Sequence, residues 1–412
     1  MSIPENFCSA PWNGVYVQPD GKVGPCCRYE FKSDSESYGN LNDNTMQEIL
    51  SSENFKDVKR RFVNNEKLSS CQTCFKEKEI HGSSFKDTWN SWHESEIEGY
   101  FKNTKSDGDY AASNINYWDI RPGNLCNQGC LMCSPHLSST LHQLLVDIDM
   151  PPENLDKKFL GLDPTSFEQT LKYIGDTVED NLIKGINDHF YFAGGEPLIM
   201  SEHAQIIDML DKRGFHHVTL RYNTNLSTLR YKNTNWLDVW KKFNTRVVVE
   251  ASVDGTGKAL EFQRVGAKWE TIRDNLILLE QHKNFVKCDI NFVVSILTFP
   301  TIIQSLIDFE SIFGIDYANQ MITFTPLTFP DLLSLQSIDK KYIESQIMVD
   351  LDTMGYNTTP LKNLLNQTNV YTDDELIVIQ DQRRHLFTRL KKYKNMDVRE
   401  ILPWFEMPGS FD

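Results

Sequence analysis

No stretch of this sequence approaches the roughly eighteen uninterrupted apolar residues that a bilayer-crossing helix needs, so no membrane span is expected. The first ten residues, MSIPENFCSA, hold neither a basic cluster nor an apolar segment, and no secretory leader is expected there. Basic charge is also scarce. Against 57 Asp and Glu stand 42 Lys and Arg, leaving a formal charge of −15. That balance opposes binding to nucleic acid or to an anionic membrane surface. The two dense basic runs, KDVKRR at 56–61 and RRHLFTRLKKYK at 383–394, fall on helical patterns and read as solvated helix faces. Solenoid-period repeats and low-complexity tracts are missing. A secreted disulfide framework is missing too, because the nine cysteines are odd in number and clustered. Such clustering reads as metal or redox chemistry in a reducing cytoplasm.

At 412 residues the chain exceeds what one hydrophobic core usually holds, and 40% apolar with 11% aromatic residues suits packed domains. Four segments are expected: 1–100, a polar linker at 101–114, an α/β region at 115–329, and a helical extension at 330–412. In the first, CSAPWNGVYVQPDGKVGPCC (residues 8–27) reads as a hairpin around Asp20-Gly21 with thiols at both ends. Thr45-Met-Gln-Glu48 is a capping box, and Ile49, Leu50, Phe55, Val58 and Phe62 supply apolar positions through the helix it opens. From residue 115 onward, strand patterns at 117–121, 189–193, 217–222, 246–253, 287–295 and 321–325 alternate with amphipathic helical stretches. The alternation predicts parallel strands with crossover helices, as an open sheet or an incomplete barrel. Asp373–Lys394 reads as one long helix, and the closing segment with Trp404 and Phe405 reads as packing or as cover for a site. Cys288, inside the fifth strand pattern, reads as a core residue.

Just after the first of these strands, YWDIRPGNLCNQGCLMC places Cys126, Cys130 and Cys133 in a C-x3-C-x2-C run. Three thiolates on one tight loop suit three irons of a [4Fe–4S] cube, with the fourth iron left open. A zinc site is the alternative, with His136 as the fourth ligand.

This pattern resembles the radical S-adenosylmethionine superfamily, and the resemblance runs on through 115–325. The second strand ends in Gly194, Gly195, Glu196 and Pro197, the third near Asn223-Thr224-Asn225, and the fourth in Ser252-Val-Asp254-Gly255, with Arg264 following. Four short motifs in the right order on successive strand ends make the resemblance specific. It implies an incomplete (β/α)6 barrel, a [4Fe–4S] cluster on Cys126, Cys130 and Cys133, and S-adenosylmethionine held by Met132, Gly194, Gly195, Glu196, Pro197, Asn223, Asn225, Ser252 and Arg264. Where many members carry an aromatic residue beside the third cysteine, this chain has Met132, whose thioether suits the same contact.

The spacing of Cys8, Gly21 and Cys26, followed later by Cys71-x2-Cys74, resembles the twitch domain, a short relative of the SPASM domain, over about residues 5–85. The resemblance implies an auxiliary [4Fe–4S] cluster on Cys8, Cys26, Cys71 and Cys74. Here that domain precedes the barrel instead of following it, and Cys27 is a thiol the pattern does not require. Read from the residues alone, the same four cysteines suit zinc equally well.

The resemblance implies reductive cleavage of adenosylmethionine and hydrogen abstraction by a 5′-deoxyadenosyl radical. An electron relayed by the auxiliary cluster would favour oxidative modification of a peptide, a protein or a small molecule. It also implies a flavodoxin-like or ferredoxin-like electron donor. The seven residues before Cys8 leave no room for a winged-helix peptide-recognition module, which weakens recognition of a precursor peptide in cis. Two alternatives are a non-catalytic iron–sulfur or zinc protein on a degenerate fold, and an activator of a glycyl-radical enzyme. The latter is disfavoured by the missing ferredoxin-like cysteine insertion. No residue announces itself as an acid or base for substrate; Glu250 and Asp254 are candidates by position only.

Overall fold

The computed structural model describes residues 3–31, 37–110, 115–153, 155, 157–243, 247–314, 320–327, 329–338 and 371–401. The expected closing segment around Trp404 and Phe405 lies outside them, as do residues 339–370 of the expected extension and 111–114 of the expected linker. Among the described residues the strands run in chain order as β1 (Gly14–Val17), β2 (Lys22–Gly24), β3 (Gly39–Asn40), β4 (Tyr117–Ile120), β5 (Gly129–Cys130) and β6 (His189–Phe192). They continue as β7 (Thr219–Thr224), β8 (Arg230–Tyr231), β9 (Thr234–Asn235), β10 (Val247–Ser252), β11 (Arg264–Val265), β12 (Val286–Val294) and β13 (Ile322–Pro326). The protein is a mixed α/β chain with a large, mostly parallel sheet. The six expected strands of the α/β region appear as β4, β6, β7, β10, β12 and β13. No helix among the described residues is long and apolar enough to cross a membrane.

The chain divides into two compact units. The first joins Met1–Asn124, Leu160–Arg221 and Lys242–Arg246. Here β1 and β2 form the expected hairpin, with Tyr16 opposite Gly24 and Val17 opposite Val23. Gly21 sits in the turn at φ +89, where a Cβ would stand 2.4 Å from Asn40 Oδ1, so only glycine fits. On its other edge β1 pairs in parallel with β4, and β4 pairs in parallel with β6. Buried Trp12 and Trp89 anchor the helices beneath the hairpin, and Trp89 Nε1 donates to Asn13 Oδ1 at 2.8 Å. Burying rings of this size is worth roughly 3 kcal/mol each.

Two expectations change in this unit. The helix foreseen from Thr45 is two helices, Met46–Leu50 and Glu53–Val63. Ser51 Oγ bonds back to the Gln47 carbonyl at 2.8 Å, and Ser52 caps the second helix by accepting from Phe55 N at 3.2 Å. Adjacent serines that bond their own backbone break a helix that the apolar spacing alone would continue. Lys59 is also not on a solvated face. It is 2% exposed, its ammonium lies 3.8 Å from the Phe55 ring centroid, and burial pulls its pKa down to about 7.

The second unit joins Leu125–Phe159, Tyr222–Lys241 and Val247–Asp412. β10, β12 and β13 lie side by side in parallel, and buried positions of β10 and β12 alternate strictly with half-exposed or exposed ones. Cys288 is buried in β12, as expected. The helix Asp373–Lys394 has the expected bounds, with a Thr372–Glu375 capping box at its start. Its basic run is not wholly solvated, because Arg383 is buried and donates from Nε to the Leu332 carbonyl at 2.7 Å.

Candidate functional site

In the first unit, Cys8, Cys26, Cys71 and Cys74 line one pocket, with Phe62, Phe75 and Trp89 among its other walls. Each thiol arrives from a different local device. Cys8 precedes the one-turn helix Ala10–Asn13, and Cys26 follows β2. Cys71 ends the 3-10 turn Ser69–Cys71, and Cys74 lies in the first turn of the helix Gln72–His81. The two halves are tied together where Glu30 N donates to the Ser70 carbonyl at 2.8 Å.

Burial is the main force on these thiols. It lifts Cys8 to about 12 and pushes Cys26, Cys71 and Cys74 up, with neighbouring sulfurs adding to the effect on the first three and the Glu77 charge adding to it on Cys74. Backbone N–H groups of Ala10, Arg28 and Lys86 pull the other way, each donating to a sulfur: Cys8, Cys26 and Cys74 respectively. A mostly apolar pocket with N–H groups already aimed at sulfur suits thiolates whose charge is matched by a cationic centre. The donor set therefore fits an iron–sulfur group.

Cys27 takes a different direction from Cys26. Its thiol donates to Asp119, and burial followed by the Asp119 charge raises it to about 11. Asp119 is buried near the end of β4 and clasped by Arg121, with Nε to Oδ1 at 3.0 Å and Nη2 to Oδ2 at 3.1 Å. The Arg121 guanidinium lies 4.8 Å from the Tyr16 ring centroid. Its aliphatic stem packs on Gly194, where an added Cβ would stand 2.9 Å from Arg121 Cδ.

Gly194 and Gly195 both adopt left-handed backbone, at φ +69 and +40. Glu196 is buried and caps the short turn Pro197–Ile199 by accepting from Leu198 N at 3.1 Å. His203 is fully buried and donates to the Pro197 carbonyl, and burial pulls its pKa down to about 3. It is therefore a neutral positioning group for the turn.

In the second unit, the loop Cys126–Cys133 is pinned at its start. Ser139 Oγ accepts from Cys126 N at 3.2 Å, and Thr140 Oγ1 donates to the Cys126 carbonyl at 2.6 Å. Antiparallel pairing of β5 with β11 sets Arg264 opposite Cys130. Arg264 Nη1 then lies 3.5 Å from Cys130 Sγ, while its Nε bonds fully buried Asp254 at 2.7 Å. Burial opposes the guanidinium charge, but Asp254 and the Cys130 and Cys133 sulfurs together outweigh it and raise Arg264 further. Burial lifts Cys133 to about 12, with the Cys130 sulfur beside it adding to the effect. Asn225 Nδ2 lies 3.9 Å from Cys126 Sγ. Asn223 Oδ1 and Gln128 Nε2 are buried with no hydrogen-bond partner among the described residues. Ser252 ends β10 beside Asn291, and Met132 is half-buried. Among the described residues, no three His, Cys, Asp or Glu side chains are spaced to hold a single metal ion.

The structure thus gathers the four cysteines of the first constellation around one cavity. It brings two expected adenosylmethionine contacts, Asn225 and Arg264, against cysteine sulfurs. Residues 194–197 belong to the first unit and the Cys126–Cys133 loop to the second. Sequence reasoning passed over Asp119 and Arg121, although both stand at a strand end, which was the available signal. It also passed over Gln128, whose role depends on burial that the sequence does not display.

These features define an α/β protein with a four-cysteine pocket suited to a metal group. Residues 8–75 match the family model of SPASM, an iron–sulfur cluster-binding domain, and the match spans Cys8, Cys26, Cys71 and Cys74. The match covers that segment alone; the C-x3-C-x2-C loop and the strand-end motifs lie outside it and resemble those of the radical S-adenosylmethionine superfamily. No curated protein matches the chain. Among solved structures, Streptococcus suis SuiB bound to S-adenosylmethionine aligns with a TM-score of 0.38 and 11% identity, over 87% of this chain and 72% of that one. The same protein bound to precursor peptide SuiA aligns with a TM-score of 0.37 and 11% identity, over 86% and 71%. TYW1 with a lysine–pyruvate adduct bound aligns with a TM-score of 0.29 and 14% identity, over 56% and 69%.

Proposed function

We propose that this protein is a radical S-adenosylmethionine enzyme that starts its reaction by removing a hydrogen atom from a peptide, a protein side chain or a small molecule. The observation that carries this reading is the pinned loop that presents Cys126, Cys130 and Cys133, with N–H donors already facing two of the three sulfurs. Those cysteines would hold three irons of a [4Fe–4S] cluster and leave the fourth for the amino and carboxylate groups of adenosylmethionine. When bound, the pair supplies an electron that cleaves the C5′–S bond, giving methionine and a 5′-deoxyadenosyl radical that takes the substrate hydrogen.

The chain's own residues then orient and shield. The unpartnered Asn223 Oδ1 suits an ammonium donor. Left-handed backbone at Gly194 and Gly195, with no Cβ to intervene, suits close approach of the chain to a ligand, and Glu196 and His203 hold that turn. Met132 and Ser252 complete the set for adenosylmethionine. Cys8, Cys26, Cys71 and Cys74 would hold a second cluster with every iron ligated, an arrangement for relaying electrons rather than binding substrate. Oxidative modification follows from that relay, with a flavodoxin-like or ferredoxin-like protein as electron source and the cytoplasm as its setting.

Anaerobic reconstitution with iron and sulfide tests the reading. About eight irons per chain are expected, and once loaded the reduced protein should release 5′-deoxyadenosine from adenosylmethionine. Tightly bound zinc in the cage, or full iron loading without cleavage, would overturn it.

A further inference from the structure

We infer that Arg264, Asn225 and Gln128 donate hydrogen bonds to the sulfurs of Cys130 and Cys126 and so raise the reduction potential of the cluster proposed for that loop. The inference rests on the reading of the loop given above and assigns these residues a task other than holding adenosylmethionine.

Arg264 makes the strongest of the three contacts. Its Nη1 lies 3.5 Å from Cys130 Sγ, within reach of an N–H···S bond, and the side chain is buried. Its direction is set from behind. Asp254 binds Nε at 2.7 Å and is itself held by Gln263 Nε2 and Val293 N, each at 3.0 Å. A guanidinium gripped at one edge by a carboxylate keeps its other edge aimed at the sulfur. Backbone pairing of Arg264 with Cys130 across β11 and β5 fixes the approach independently of the side chains.

Asn225 approaches the neighbouring ligand in a similar way. Its Nδ2 stands 3.9 Å from Cys126 Sγ and 2.9 Å from Asn127 Oδ1, while its Oδ1 accepts from Ser227 N at 2.9 Å. The amide is thus oriented by two other bonds, and the nitrogen faces sulfur.

Gln128 supplies an independent observation. Its Oε1 lies 3.8 Å from Cys130 Sγ, while its Nε2 is buried without a partner among the described residues. A ligating thiolate has no proton to donate, so an amide oxygen facing it would be two acceptors in contact. Turning the amide by half a rotation presents an N–H to sulfur and resolves the orphaned donor at once. The loop therefore contains a donor that only a thiolate at Cys130 satisfies.

Hydrogen bonds to ligating sulfur withdraw negative charge from the cluster, and they favour the reduced state because it carries one more electron. In a buried site each such donor counts for more than it would in water. Together, the three keep the cluster reducible by a protein electron donor.

The test is an anaerobic redox titration of the reconstituted full-length protein, followed by electron paramagnetic resonance. The reduced-cluster signal that changes on adding adenosylmethionine reports the loop, and the other signal is the internal control. Asn225→Asp keeps the acceptor for Ser227 N and replaces the N–H with an oxygen. Arg264→Lys keeps a positive charge beside Asp254 and removes the planar fork. In both variants the responsive midpoint should move to a more negative potential, with the control unmoved and iron content unchanged. An unmoved responsive midpoint at full iron content would overturn the inference. Loss of the loop's iron from both variants would also overturn it, by assigning the side chains to loop stability. Absence of any adenosylmethionine-responsive signal in the unmodified protein would instead overturn the proposed function.

Discussion

Tyr16 stands directly opposite Asp119 in a parallel strand pair, so the strand between Cys8 and Cys26 lies against the strand that leads toward the Cys126–Cys133 loop. The pairing gives a physical reason for a cysteine cage at the start of the chain. A hairpin that precedes β4 becomes its parallel neighbour, and the second thiol of the Cys26-Cys27 pair reaches Asp119.

Cys26→Ala should remove the auxiliary cluster and reduce iron from about eight to about four per chain. Cys27→Ala should leave iron content unchanged, because that thiol faces Asp119 while Cys8, Cys26, Cys71 and Cys74 line the cavity. Iron and acid-labile sulfide assays on the two variants separate these outcomes.

Arg121→Met should destabilise the fold by about 3–5 kcal/mol, since it leaves the buried Asp119 carboxylate without its cation. The double variant Arg121→Met with Asp119→Asn should recover much of that loss. Urea denaturation of the single and double variants measures both. Equal stability of the two would show that the ion pair is not what matters there.

Gly21→Ala places a Cβ against Asn40 at a φ that alanine tolerates poorly. A cost of roughly 1–3 kcal/mol is expected, seen as a lower thermal midpoint. Weaker iron retention in the cage should accompany it, because this turn sets the approach of Cys8 and Cys26.

Asp188 is fully buried and accepts from Trp118 Nε1 at 2.9 Å and from Asn181 Nδ2 at 3.0 Å. Burial raises its pKa from the ordinary 3.8 to about 7. Because the folded value is the higher one, its contribution is full below about pH 4 and is lost as pH rises through about 7. The swing is at most roughly 4 kcal/mol. Asp188→Asn should flatten the decline between about pH 4 and 7 in denaturation curves, and an unchanged slope would place the titration elsewhere.

Much of this arrangement was legible in the sequence. Alternating burial in β10 and β12 follows from residues such as Val247, Val249 and Ala251, and a period of two is visible without coordinates. The joining of Cys8 and Cys26 with Cys71 and Cys74 was legible from the resemblance of their spacing to the twitch domain. The parallel pairing of β1 with β4 was not, because a four-residue strand carries no local signal of a partner about a hundred residues away. Asn225 was singled out at a strand end and Arg264 beyond the next one; their contacts with sulfur depend on the β5–β11 register and on side-chain packing. The helix break at Ser51-Ser52 depended on side-chain bonds that compete with an otherwise regular apolar pattern.

The most direct measurement is 5′-deoxyadenosine release from adenosylmethionine by the anaerobically reconstituted and reduced protein, beside a variant in which Cys126, Cys130 and Cys133 are all alanine. Release by the unmodified protein and none by the variant is the expected result. Equal release by both, or none by an unmodified protein carrying its full iron, would contradict a radical-generating site on that loop.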